Sequence, residues 1–253
     1  MKPGPAGADP YPLSVWGDLL FFRANVFTGH ELWVTDGTEA GTLSLGDIYP
    51  NWYSSSPTAP VGFGDYAYFS ARDGVIGEEL YRTDGTLAGT TLVADINPGS
   101  DNGVGGFSAA VLGDWLYFDG IDANGDTELW RTDGTAAGTQ QFADLDPNFS
   151  SYPWDLQTIG DRLVFRARLD GEYHYWGTDG VTIEQLSFPP LSINTNWTLY
   201  SNGEKLIGML RGLGGSFELW GTDGTTAGSG VIKQIHPDGT QFVNLRAWHT
   251  TSG

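Results

Sequence analysis

The chain has 253 residues, room for one large all-β unit or two modest domains, and no cysteine, which excludes thiolate metal sites, thiol redox chemistry and a cysteine nucleophile. Thirty-one acidic against twelve basic residues leave a net charge of −19, so nucleic-acid phosphates and anionic membrane surfaces are repelled. No apolar run is long enough to span a bilayer, and an aromatic content of 13% excludes a disordered chain.

In chain order, the first predicted strand runs from Pro12 to Trp16 and ends at a Gly17-Asp18 turn. The second is the apolar run Leu19 to Ala24, and the third carries Glu31-Leu32-Trp33. Thr35-Asp36-Gly37-Thr38 then turns the chain into a fourth strand that ends before Pro50, because proline cannot extend the ladder. The same phrase returns with Gly64-Asp65, Glu79-Leu80-Tyr81, Thr83-Asp84-Gly85-Thr86 and a fourth strand from Thr91 to Ile96, before Pro98. A third copy has Gly113-Asp114, Glu128-Leu129-Trp130, Thr132-Asp133-Gly134-Thr135 and Pro147. The fourth is worn, with Gly160-Asp161, Tyr175-Trp176 and Thr178-Asp179-Gly180, but Val181 in place of Thr and no Ala-Gly-Thr to follow. The fifth has Gly203-Glu204, Glu218-Leu219-Trp220, Thr222-Asp223-Gly224-Thr225 and Pro237.

The motif aspartates 36, 84, 133, 179 and 223 are 48, 49, 46 and 44 residues apart. Four short strands per period of this length is the signature of a β-propeller blade. The prediction is a single all-β domain, a five-bladed β-propeller of four-stranded antiparallel blades at 11–50, 58–98, 107–147, 154–189 and 197–237. Segment 241–253 reads as a sixth first strand that closes the ring; the alternative is a fragment of a larger propeller or array. Asp-Gly supplies the side-chain acceptor and the positive φ of a hairpin turn, so the five-fold motif reads as scaffold rather than catalysis.

The phrase Glu-Leu-Trp-x-x-Asp-Gly-Thr, with Ala-Gly-Thr after it and the strand ending Asp95-Ile96-Asn97-Pro98-Gly99-Ser100, resembles the bacterial ELWxxDGT repeat proteins over residues 13–240. The resemblance implies a propeller-like array in a secreted or cell-surface protein, and it implies no catalytic activity. Met1 to Pro5 lack the apolar core of a signal peptide, so the expected setting is extracellular with the leader removed, or cytoplasmic.

Alternating strand direction places the short Gly-Asp and Asp-Gly turns on one face and the long, varied loops on the other, where binding residues gather. The loop aromatics Trp52, Tyr53, Phe107, Phe149, Tyr152, Trp154 and Trp197 are the expected ligand- or partner-binding residues. Aromatics of this kind anchor protein partners, and beside Asn, Ser and Asp they also suit sugar rings. Asp122, Asn124, Asp126 and Glu128 place oxygen donors at alternate positions and suggest a Ca²⁺ site, although the terminal bidentate glutamate of a calcium loop is missing. No His-Glu-x-x-His, nucleophile elbow or phosphate-binding loop occurs, and no cofactor other than Ca²⁺ is expected. A glycosidase would need paired carboxylates, for which Asp101, Asp155, Glu172 and Asp238 are the candidates outside the repeat positions. The expected function is therefore a non-catalytic binding or assembly module for a protein partner, with glycan binding as the alternative.

Overall fold

The computed structural model describes residues 8–25, 29–188, 199–211 and 217–236. They form five antiparallel sheets of four strands, each strand hydrogen-bonded to the next in chain order. The repeats are thus the blades of a β-propeller. Blade one comprises Tyr11–Trp16, Leu19–Asn25, His30–Thr35 and Leu43–Ser44; blade two comprises Val61–Phe63, Tyr66–Arg72, Glu78–Thr83 and Thr91–Ala94. Blade three comprises Val104–Leu112, Trp115–Ile121, Thr127–Thr132 and Gln140–Ala143. Blade four comprises Trp154–Ile159, Arg162–Leu169, Glu172–Thr178 and Ile183–Gln185. Blade five comprises Tyr200–Ser201, Leu206–Arg211, Phe217–Thr222 and Gly230–His236. Segment 241–253, expected to close the ring, lies outside the described residues.

Both repeated turns have the predicted chemistry. Gly17, Gly64, Gly113 and Gly160 all sit at φ of +57° or +58°, which a side chain rarely tolerates. In the Asp-Gly-Thr turn, Asp36 Oδ1 accepts both the N–H and the hydroxyl of Thr38, at 2.9 and 2.7 Å. Thr38 Oγ1 in turn accepts the Gly41 N–H. Asp84, Asp133 and Asp223 repeat the first pair of bonds.

Packing explains the rest of the phrase. Leu32 faces blade two, in a cluster with Phe69 and Tyr81; Leu80 faces blade three, with Phe118. Leu129 faces blade four, with Phe165 and Trp176, and Tyr175 stands in the leucine position against blade five. Period-two alternation along the third strand therefore sends the repeat Leu forward and the repeat aromatic back onto the preceding blade. The Phe five residues after each turn glycine is the cross-strand partner of that aromatic: Phe69 opposite Tyr81, Phe118 opposite Trp130, Phe165 opposite Trp176. Blade five has Gly208 opposite Trp220 instead. Phe188, at the end of blade four, fills the gap by stacking on Trp220 with ring centroids 5.3 Å apart. Among the described residues, four clusters join consecutive blades, while the fifth gathers Ala8 and the blade-one residues Phe22, Ala24 and Trp33.

Candidate functional site

The long loops are positioned by the glutamate of the repeat, a role invisible in the motif itself. Glu79 Oε2 accepts the N–H of Ile96 at 2.8 Å, and its Oε1 accepts that of Gly103 at 2.7 Å. Glu31 holds Ile48 and Ser55 in the same way, and Glu128 holds Leu145 and Ser151. Each carboxylate thus ties both ends of the blade-to-blade loop to the third strand. All three are buried, and burial outweighs the N–H bonds: the pKa of Glu31 and of Glu79 rises to about 7, and that of Glu128 is also raised. Glu218 in blade five instead accepts from Trp220 Nε1 and Gln234 Nε2.

On this frame the aromatics fall into two groups. Trp52, 82% exposed, and Tyr53 project from the loop between blades one and two, with the Tyr53 ring stacked on Tyr49 at 4.8 Å. Phe149, Tyr152 and Trp154 follow blade three. Phe149 and Tyr152 are exposed, and the guanidinium of Arg168 lies 5.6 Å from the Phe149 ring. Trp154 is 38% exposed, with the Arg166 guanidinium 4.0 Å from its ring centroid. Between the loop that joins blades two and three and the hairpin after Ile121 lies a polar depression of about 420 Å³, lined by Asn97, Asp101 and Asn102 from the one and Asn124 from the other. Trp197 lies outside the described residues.

Phe107 is a correction. It is only 7% exposed and packs against Phe118, with ring centroids 6.4 Å apart. The first strand of blade three begins at Val104, so Phe107 belongs to a strand and faces the interface with blade two rather than solvent.

The calcium expectation is corrected as well. Asp122 Oδ1 accepts the N–H groups of Asn124 and Asp126, Asp126 accepts from Ser150 Oγ, and Glu128 is committed to Ser151 and Leu145. The four donors serve a hydrogen-bonded turn and a loop anchor, and among the described residues no three acidic or histidine side chains gather as a metal-holding group.

The carboxylates considered for glycoside cleavage are spread over three segments. Asp101 lies in the loop after blade two, Asp155 in the first strand of blade four and Glu172 at the start of its third strand. Asp238 is outside the described residues. Two neighbouring buried acids were not anticipated: Asp119, whose pKa burial raises to about 6 with Glu78 adding to the effect, and Glu78 itself. Asp119 accepts the N–H groups of Gly106 and Ser108, where the first-strand ladder is broken, while Glu78 accepts from Ser70 Oγ and Arg72 Nε. Both are thus held by structural donors. Arg166 was also missed: it is buried, and its Nε and Nη1 lack hydrogen-bond partners among the described residues. The available signal was an arginine set among the apolar residues Leu163, Val164, Phe165 and Ala167 of the second strand.

No known family model matches the chain, and no curated protein sequence does. Solved structures do. TolB from Acinetobacter baumannii is 15% identical with a TM-score of 0.51, over 88% of this chain and 53% of its own. A puromycin hydrolase is 16% identical with a TM-score of 0.58, over 90% of this chain and 38% of its own. An oligogalacturonate lyase, solved with manganese, is 12% identical with a TM-score of 0.55, over 86% of this chain and 62% of its own. The chain therefore spans less than two thirds of each of these relatives, and at such identities the likeness is one of fold.

Proposed function

We propose that this chain is a non-catalytic binding propeller that engages a protein partner through its long-loop face, at the outside of a bacterial cell. The observation that carries the reading is the exposure of Trp52, Tyr53, Phe149 and Tyr152 on loops whose ends are pinned by Glu31 and Glu128. Exposed aromatics on a rigid frame lose little entropy on docking, which suits an interface anchor. Their lopsided distribution, with a polar depression beside the intervening loop, favours one partner over a set of equivalent sugar sites. The resemblance to ELWxxDGT repeat proteins supports the cell-surface setting. Crosslinking on the native cell surface, with the intact chain and the Trp52→Ala and Phe149→Ala variants, tests this: loss of one specific adduct in a folded variant supports the interface, and an unchanged adduct pattern overturns it.

Glycan binding is the second reading, favoured by the Asn- and Asp-lined depression between the two aromatic loops. A glycan array separates the two: selective binding lost on Trp52→Ala or Trp154→Ala supports sugar recognition.

A further inference from the structure

The fourth repeat departs from the others at one turn. In the other four blades the fourth strand begins eight residues after the threonine that ends the third, at Leu43, Thr91, Gln140 and Gly230; in blade four it begins five residues after Thr178, at Ile183. The usual bond between two hydroxyls across this turn, Thr132 to Thr139 at 2.8 Å in blade three, is replaced by Thr178 Oγ1 donating to the carbonyl oxygen of Thr182 at 2.6 Å. The missing residues leave Val181 projecting at 85% exposure.

Beside this shortened turn lies a cavity of about 630 Å³, in the cleft between blades three and four on the short-turn face. Leu112, Trp115 and Val181 give it apolar walls, and Asp114, Asp161 and Asp179 border it. Tyr117 also lines it; the residue is fully buried, yet its hydroxyl has no hydrogen-bond partner among the described residues. A buried phenol left unpaired costs about 1–3 kcal/mol, so such a group calls for an explanation. Two nearby arginines have partners of their own, although the charge of Arg162 is also felt by Asp179. Arg131 lies 4.1 Å over the Trp115 ring, donates to the Gly180 carbonyl oxygen and does not line the cavity. Arg162 is paired with Glu184 at 3.1 Å.

We propose that this cleft binds a cation carried on a flat or extended apolar body, an amidinium, guanidinium or alkylammonium group. The body lies against Trp115, Leu112 and Val181, the charge meets the carboxylates at the rim, and a small outward shift of the Gly180-Val181 turn lets a polar atom pair with Tyr117 Oη, which lies beneath Gly180. The source is either a free amine or a basic side chain presented by a peptide. The site is on the opposite face from the aromatic loops and does not depend on the function proposed for them.

Calorimetric titration of the full chain with benzamidine, against benzamide as its neutral isostere, tests the proposal. The expected result is one site per chain, at least tenfold weaker for benzamide, with about a tenfold loss in Asp161→Asn, a charge-pair effect of about 1.4 kcal/mol. Tyr117→Phe is expected to weaken binding severalfold while leaving the unfolding temperature unchanged or higher, an outcome that a purely structural tyrosine would not give. Replacing Val181-Thr182 by the blade-three sequence from Thr135 to Thr139 is expected to close the cleft and abolish binding. Agmatine and Gly-Arg-Gly distinguish the sources, tighter binding of the peptide pointing to a partner's side chain and tighter binding of agmatine to a free amine. Absence of binding at millimolar benzamidine, equal binding of benzamide, or indifference to both Asp161→Asn and Tyr117→Phe overturns the proposal.

Discussion

The guanidinium of Arg82 donates from Nη1 to the carbonyl oxygen of Gly134, 52 residues away, at 2.8 Å. Arg82 sits immediately after Glu79-Leu80-Tyr81 and is stacked 4.4 Å over the Tyr66 ring, so it fastens blade two to the Asp-Gly turn of blade three. Arg131 makes the same connection from blade three to Gly180 of blade four. Blade one has Val34 at this position, packed in the interface with blade two.

Removing the clamp is expected to loosen one interface. Arg82→Ala should lower stability by about 1–2 kcal/mol through the lost bond and ring contact, read by urea unfolding. Arg82→Lys should recover only part of it, because an ammonium cannot both lie flat on Tyr66 and reach Gly134 in the same geometry.

The loop anchors are more exacting. Glu79 uses both carboxylate oxygens as acceptors, toward Ile96 and Gly103. Glu79→Gln turns an NH₂ group toward one of those N–H donors, and a cost of about 2 kcal/mol is expected. Limited proteolysis should then cut between residues 96 and 103 faster than in the unmodified chain.

The same anchors set a pH dependence. Glu31 and Glu79 have pKa values raised by burial from an ordinary 4.5 to about 7, so the folded chain holds more protons than the unfolded one between those limits. Their contribution is fully present below pH 4.5 and is lost as pH rises through 7. Asp36, Asp84 and Asp133 act oppositely: hydrogen bonds from Thr38, Thr86 and Thr135 lower their pKa, and what they add is lost as pH falls below the ordinary aspartate value. The unfolding temperature is therefore expected to be higher near pH 5 than near pH 8, with a flatter profile in Glu31→Gln/Glu79→Gln. A profile that rises from pH 5 to 8 would contradict this assignment.

Phe107 and Phe149 separate core from surface among aromatics that look alike in the sequence. Phe107→Ala opens a hole in the interface of blades two and three and should cost about 3–4 kcal/mol. Phe149→Ala, at an exposed loop position, should stay within about 0.5 kcal/mol. Thermal unfolding of the two variants side by side is the check.

The blades were legible because each repeats its own turn chemistry: Gly17-Asp18 and Asp36-Gly37 announce strand reversals whatever surrounds them. Phe107 was not legible, because Gly103 to Gly106 reads as a flexible loop, and only backbone pairing of Val104 with Gly120 shows that the strand has already begun. The loop anchors were hidden for a different reason. Glu79 meets Ile96 and Gly103 at 17 and 24 residues' distance, and nothing in a linear motif tells a buried acceptor from an exposed acid. The cleft beside Val181 was half visible: the worn fourth copy signalled a reshaped turn, but the unpaired Tyr117 hydroxyl emerges only once blades three and four are packed.

The forward Leu and backward aromatic give blades one to three one surface of each kind. Blades joined by such a rule are interchangeable parts: one of these three periods can be duplicated, and each junction among the copies still presents aliphatic to aromatic in the same order. A copy of one of these periods would therefore need no new kind of interface, whereas the junction of blades four and five, where Phe188 stacks on Trp220 beside Gly208, suits that pair alone.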